Sequence, residues 1–419
     1  MTVKPCENPV PKALKFKQQC LDVAFSPRDN LVATSLITGH VFLHRYSADC
    51  TERVFRSHPH NKSCRSVAFG LDGSDLYTAS KDKSWQVMDL NKGETKYRQA
   101  DAHDKAINRL LPVNEQIVAT GDDSGCIKLW DVRQKKIAFE FKEHVDFISD
   151  MTFNEAKRHL IATSGDGCLS VYDVRKSKPV DVSDNQDDEL LSVAVMMDGK
   201  KVITGTQDGV IGIFSYGMFG DVTDRFPGHP QSIDTICKLT EDTVVTGSSD
   251  GLLRIIGLFP NKLLGVAGEH GEFPIEKIVL SWDQSLLASC SHDQSVRFWD
   301  IAYMFNGDDS VEDDGGGNGT GRGSESSHDY KDFDKIIAEF KVQNAVTQGS
   351  NKDDGDGDAM NSDSMDSDGG GGSDGKDDED VGEESEEKRQ RKKKRKSQLQ
   401  RNKVKQAKKT TNANFFADL

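Results

Sequence analysis

The sequence predicts an all-β fold, a seven-bladed β-propeller, and three observations carry that prediction. One eight-residue pattern recurs seven times at nearly constant spacing. Each copy joins a tight turn to residues that alternate between apolar and polar. The composition is that of a globular domain over residues 1–303 and changes abruptly beyond them.

Aligned on their ends, the copies are TGHVFLHR (38–45), DKSWQVMD (82–89), SGCIKLWD (124–131), DGCLSVYD (166–173), DGVIGIFS (208–215), DGLLRIIG (250–257) and DQSVRFWD (293–300). Their starts lie 44, 42, 42, 42, 42 and 43 residues apart, which marks a repeated supersecondary unit. Asp and Gly at the start supply the dihedrals of a tight reversal. In IKLWD, Ile127 and Leu129 point one way and Lys128 and Trp130 the other, as in a strand. A run such as SVAFGLDGSDLYTAS (66–80) precedes each copy, giving strand, turn, strand. One such small antiparallel sheet cannot bury both of its faces, so the units must stack around an axis.

A period of about 42 residues with GH-like and WD-like dipeptides resembles the WD repeat, and residues 1–303 resemble a seven-bladed WD-repeat propeller. The resemblance implies a ring closed by the amino-terminal strand, a place that KALKFK (12–17) would fill. KIIAEFK (335–341) is the alternative, but more than thirty polar and Gly-rich residues separate it from Asp300. The resemblance also implies a hydrogen-bonded chain in each blade, from a His through a Ser or Thr and a turn Asp to a Trp. His270, Ser289, Asp293 and Trp299 supply it in the seventh blade, and His144, Thr163, Asp166 and Tyr172 in the fourth. Elsewhere the set is incomplete: Thr38 and Arg45 stand where Asp is usual, Ser124 does so in the third copy, and the fifth and sixth end in Ser215 and Gly257. Recurrence around a ring predicts a structural network, not a catalytic triad.

No HExxH, GxSxG, P-loop or Gly-rich dinucleotide fingerprint occurs, so neither enzymatic activity nor a cofactor is expected. The eight cysteines (Cys6, Cys20, Cys50, Cys64, Cys126, Cys168, Cys237 and Cys290) form no CxxC pair and read as small core residues in a reducing compartment. DDGDGD (353–358) is like a calcium loop but lacks the closing glutamate and flanking helices, and reads as part of a disordered tract. The start, MTVKPCENPVPK, has no signal-peptide apolar run, and no stretch approaches about 18 apolar residues. A soluble nuclear or cytosolic protein without a membrane partner is expected.

Residues 304–387 read as an acidic, Gly/Ser/Asp-rich disordered linker: from Asp308 to Glu387 there are 26 Asp and Glu against 6 Lys and Arg. Such a stretch cannot bury enough apolar surface to offset its chain entropy. SDSMDSD (362–368) suits acidophilic phosphorylation or serves as a plain spacer. Residues 388–419 form a basic tail, with 13 Lys and Arg and no acid from Lys388 to Lys409. Its cluster Arg391, Lys392, Lys393, Lys394, Arg395 and Lys396 fits a nuclear-localisation signal or a contact to RNA phosphates. No aromatic residue interleaves it, so any RNA binding there would be sequence-blind. In NANFFADL (412–419), Phe415, Phe416 and Leu419 read as a peptide that docks in a partner's groove, or as a coincidence of composition.

A divergent seven-bladed propeller, an acidic linker, a Lys/Arg-rich segment and a terminal FFADL motif together resemble the WD repeat-containing protein 55 family over essentially the whole chain. That resemblance implies a nucleolar protein of ribosomal RNA processing and ribosome production, a monomer within larger complexes, with pre-ribosomal assembly factors as partners. A second resemblance points elsewhere. WDVR (Trp130, Asp131, Val132, Arg133) and YDVR (Tyr172, Asp173, Val174, Arg175) are similar to the WDxR ending by which substrate receptors of cullin-4 ubiquitin ligases dock to the damaged-DNA-binding adaptor. Equally, these arginines could pair with acids at the blade edge, worth about 0–1 kcal/mol if exposed. A chromatin-reading face is the weakest alternative, since no aromatic cage stands out.

Overall fold

The computed structural model describes residues 10–48 and 50–305. The acidic linker from residue 306 onward, the basic cluster 391–396, the 412–419 peptide, the alternative strand 335–341, the DDGDGD string and Cys6 lie outside the described residues.

Within them, twenty-eight strands form seven four-stranded antiparallel sheets, the blades of a propeller. In six blades the strands follow chain order from the axis outward. The first, for example, runs Cys20–Phe25, Leu31–Leu36, Val41–Tyr46 and Thr51–Ser57. The seventh takes three strands from Ile275–Leu280, Leu286–Ser291 and Ser295–Asp300, and its outer strand is Leu14–Lys15, with Leu14 opposite Val296. The amino-terminal segment therefore closes the ring, and Phe16 N adds a bond to Gln294 O at 2.8 Å.

The middle strands are buried on both faces because a blade lies between two others. Leu31–Leu36, Asp75–Ser80, Ile117–Asp122 and His159–Ser164 each show one half-buried residue followed by five buried ones. Outer strands such as TERVFRS (Thr51–Ser57) and ETKYRQ (Glu94–Gln99) carry exposed charges, which blunt the edges against further strand pairing. Between blades, the first residue of an inner strand packs on a small residue of the preceding blade. A Cβ on Gly121, Gly205 or Gly247 would fall 2.6–2.8 Å from a methyl carbon of Ile148, Ile233 or Ile275.

Every inner strand also breaks register once, two residues after its start. The bulge brings Asp22, Ser66, Arg109, Asp150, Ser192, Thr235 and Lys277 to equivalent places. Six of these side chains bond the inner strand of the next blade. Asp22 accepts from Val67 N, Ser66 from Leu110 N, Asp150 from Val193 N and Thr235 from Ile278 N. Arg109 donates to Ser149 O and Ser192 to Ile233 O. The seventh, Lys277, turns across the ring instead.

The cysteines depart in part from the expectation of core residues. Cys20, Cys64, Cys126 and Cys290 are buried and Cys168 and Cys237 half-buried, but Cys50 is exposed on the turn before Thr51–Ser57, where its sulfur lies 3.3 Å from Ser47 Oγ.

Candidate functional site

The histidine networks come first, because they decide whether the propeller carries reactive groups. In the seventh blade His270 Nδ1 lies 2.8 Å from Asp293 Oδ2, His270 Nε2 2.7 Å from Ser289 Oγ, and Trp299 Nε1 2.8 Å from the same oxygen. A carboxylate only accepts, so Nδ1 carries the ring proton, Nε2 accepts from the Ser289 hydroxyl, and Ser289 Oγ accepts from the indole. Burial lowers the His270 pKa and keeps the ring neutral. Burial would raise the Asp293 pKa, but bonds from His270 and Ser295 outweigh it and pull it down to about 2.

Two blades differ from the sequence expectation. The third is complete: His103 binds Asp122 at 3.0 Å and Thr120 at 2.7 Å, and Trp130 Nε1 donates to Thr120 at 2.8 Å. Its acid is Asp122, two residues ahead of Ser124, and Asp122 also bonds the Ser124 backbone and hydroxyl. In the fourth blade His144 binds Asp166 at 3.1 Å, but its Nε2 meets Ser170 at 2.6 Å, not Thr163. Strand alternation explains the correction. The position ten residues before Tyr172 is Ala162, which lies opposite Ser170; the hydroxyl has moved across the strand pair. Thr163 projects to the other face and accepts from Ser149.

His103, Asp122 and Cys126 bring ligand-type atoms within 4.8 Å of one another, the one such grouping among the described residues. Both His103 nitrogens are already engaged, and burial, helped by Asp122 and Glu140, pushes the Cys126 thiol up to about 12. The grouping is part of the hydrogen-bond network.

Along the axis, the bulge residues form a charge cluster that sequence reading missed. Lys277 Nζ lies 3.4 Å and Arg109 Nε 3.7 Å from Asp150 Oδ1. Burial raises the Asp22 pKa, while the charges of Arg109 and Lys277 oppose the rise. Asp150 and Lys277 also line a cavity of about 850 Å³, with Ala24, Ala68, Val193 and Ile236 among its other walls. The available signal was the polar residue two places after each strand-opening apolar one: Cys20-x-Asp22, Ile107-x-Arg109, Ile148-x-Asp150 and Ile275-x-Lys277.

The paired WDxR-like endings occupy equivalent turns, after Ile127–Asp131 and Leu169–Asp173. Trp130 and Tyr172 are buried, and the Trp130 indole is committed to Thr120. Asp131 caps its turn by accepting from Arg133 N and Gln134 N, both at 2.9 Å. The Arg133 side chain is 64% exposed, its Nε 4.0 Å from Asp131. Arg175 instead folds back on Asp173, with Nε at 2.7 Å and Nη2 at 2.8 Å, and this fork holds the Asp173 carboxyl well below the usual range. Of the six residues only the two guanidiniums are offered to a partner, and one of them is already engaged.

A family model for WDR55 matches residues 11–304. WD repeat-containing protein 55 homolog of Dictyostelium discoideum is 42% identical over 299 residues, 71% of this chain and 72% of that protein. WD repeat-containing protein 55 of Homo sapiens is 38% identical over 296 residues, covering 70% and 77%. WD repeat-containing protein JIP5 of Coprinopsis cinerea is 37% identical over 300 residues, covering 69% and 73%. With its seven blades, its amino-terminal closing strand and these matches over most of the propeller, the chain belongs to the WDR55 family of WD-repeat proteins.

Proposed function

We propose that the protein is a non-enzymatic nucleolar scaffold in ribosome biogenesis and rRNA processing. The propeller binds assembly proteins, and the tail from residue 388 directs the chain to the nucleus and adds affinity for RNA. The observation that carries the reading is the occupation of the blade histidines. In the seventh and third blades each imidazole and each hydroxyl has a donor and an acceptor role filled by its neighbours, and each Asp accepts from its His. These groups hold the blades and leave the loops for binding. The separated charge of the chain supports the rest: a propeller of about −7 beside a segment with 13 Lys and Arg and no acid suits a partner-binding body with a polyanion-seeking arm.

A second reading, docking to a cullin-4 adaptor, is favoured by the exposure of Arg133 one blade away from Arg175. Affinity purification from nuclear extract at two salt concentrations separates the two. The samples are the intact chain, a 388–419 deletion and the Arg133→Ala/Arg175→Ala double variant. Pre-ribosomal proteins captured through the tail and indifferent to the arginines support the scaffold. An adaptor captured by the intact chain and lost with the arginines replaces it with the ligase reading.

A further inference from the structure

We infer that the edge of the first blade around Arg56 is a binding site for single-stranded RNA, separate from the basic tail. The choice of RNA rests on the scaffold reading above; the choice of a single strand rests on the rings described next.

The starting point is the turn residue Thr38, which stands where the second, sixth and seventh blades have Asp82, Asp250 and Asp293. In those three blades the turn aspartate neutralises an arginine of its own sheet: Arg98 lies 3.5 Å from Asp82, Arg254 2.6 Å from Asp250 and Arg297 3.0 Å from Asp293. Arg56 occupies the register position of Arg98, since Phe42 pairs with Arg56 as Gln86 pairs with Arg98. With Thr38 at the turn, no carboxylate among the described residues comes within 4 Å of Arg56. Its Nη2 donates instead to His40 Nε2 at 2.7 Å, a neutral acceptor that leaves the guanidinium charge uncompensated. His40 Nδ1, which then carries the ring proton, donates to the Thr38 hydroxyl at 3.0 Å.

Aromatic surface lies beside this cation. His40 and His58 stack at 4.2 Å with 19° between their planes, and His58 is exposed, so the stack ends on a ring open to solvent. Arg56 sits 5.7 Å from the centre of the Phe42 ring, which in turn packs on Phe16 at 5.2 Å. Phe16 and His44 take the places that His and Trp hold in the complete blades and pack on each other, so the first blade lacks the usual network. The surroundings are basic. Residues 10–65 contain nine Lys and Arg against four Asp and Glu, although residues 1–307 as a whole are acidic. An uncompensated guanidinium attracts a phosphate, and an open stack of rings takes an unpaired base, which is the pairing that single-stranded nucleic acid requires. A purely acidic peptide would use the charge and leave the rings idle.

The test uses the full chain with all 13 Lys and Arg of residues 388–409 replaced by Gln, so that the tail's electrostatic term is removed from both arms. Anisotropy of a labelled 12-nucleotide RNA is expected to show binding that falls about tenfold in Arg56→Ala/His58→Ala. Arg98→Ala, which removes an arginine already paired with Asp82, is expected to leave affinity unchanged. Crosslinking from 4-thiouridine is expected to fall on residues 40–58. Unchanged affinity in the double variant, crosslinks confined to other blades, or equal binding of a duplex or a Glu-rich peptide would each overturn the assignment. Because Arg56 and His58 are exposed, thermal midpoints should match the parent and separate lost binding from lost folding. Failure here with tail-dependent capture intact leaves the scaffold reading standing, and the converse result removes only the role of the tail.

Discussion

Lys277 of the seventh blade and Asp150 of the fourth, 127 residues apart, meet in the channel with Nζ 3.4 Å from Oδ1. Their blades are not neighbours, so this pair and Arg109 beside it tie opposite sides of the ring. Replacing Asp150 by Ala leaves two cations without their carboxylate and should cost about 3 kcal/mol, read as a fall in the urea midpoint. Lys277→Met should cost less, because Arg109 still faces Asp150. The double variant should fall short of the sum of the singles.

In the fourth blade Ser170→Ala should destabilise by about 1–2 kcal/mol, since it leaves a buried imidazole acceptor of His144 without its donor. Adding Ala162→Ser should recover most of that loss by returning the hydroxyl to the second strand. No recovery in a denaturation series would show that the two positions are not interchangeable.

Gly268 lies in the outer strand of the sixth blade, and a Cβ there would sit 2.4–2.5 Å from ring carbons of Trp299. The indole is tethered to Ser289 and cannot withdraw freely. Gly268→Ala should therefore cost about 1–3 kcal/mol by overpacking. Combining it with Trp299→Phe, which removes ring volume, should cost less than the two changes added together.

Stability should fall between pH 6.5 and 4. Burial, reinforced by Arg53 for His44 and by Arg254 for His229, pushes both pKa values down to about 4, whereas an unfolded histidine titrates near 6.5. Across that interval the unfolded chain binds protons that the folded chain refuses, so stability is full above about pH 6.5 and declines as the pH drops toward 4. Thermal midpoints measured at several pH values should show this slope, and His44→Phe/His229→Asn should flatten it.

The repeat spacing was enough to number the blades, because seven copies must share one geometry, whereas the closing strand was placed by the resemblance to WD-repeat propellers. The hydrogen-bond chains were harder to read, and for local reasons. GDDSG offers two aspartates within one turn, and only the fold selects Asp122. ATSGDGCLS offers Thr163 and Ser170, and a shift of one residue along a strand moves a hydroxyl to the opposite face. The channel cluster could not be read from any single repeat: Asp22, Arg109, Asp150 and Lys277 come from four blades and meet only when the ring is closed. The departure at Thr38 was visible as a missing acid, but its consequence required knowing which arginine that acid would have neutralised.

The outer strand of the last blade, Leu14–Lys15, is the first made of the described strands and pairs with the last of them. Its partner Ser295–Asp300 follows roughly 280 residues later, on the order of half a minute at a ribosome's pace. Through that interval six blades can form and stack in turn, each on the one before, while the opening segment has nothing to pair with. Closure thus waits until the third strand of the seventh blade has been made. A chain that stops before Ser295 leaves both ends of the stack bare, with the edge that Leu14–Lys15 should cover never formed.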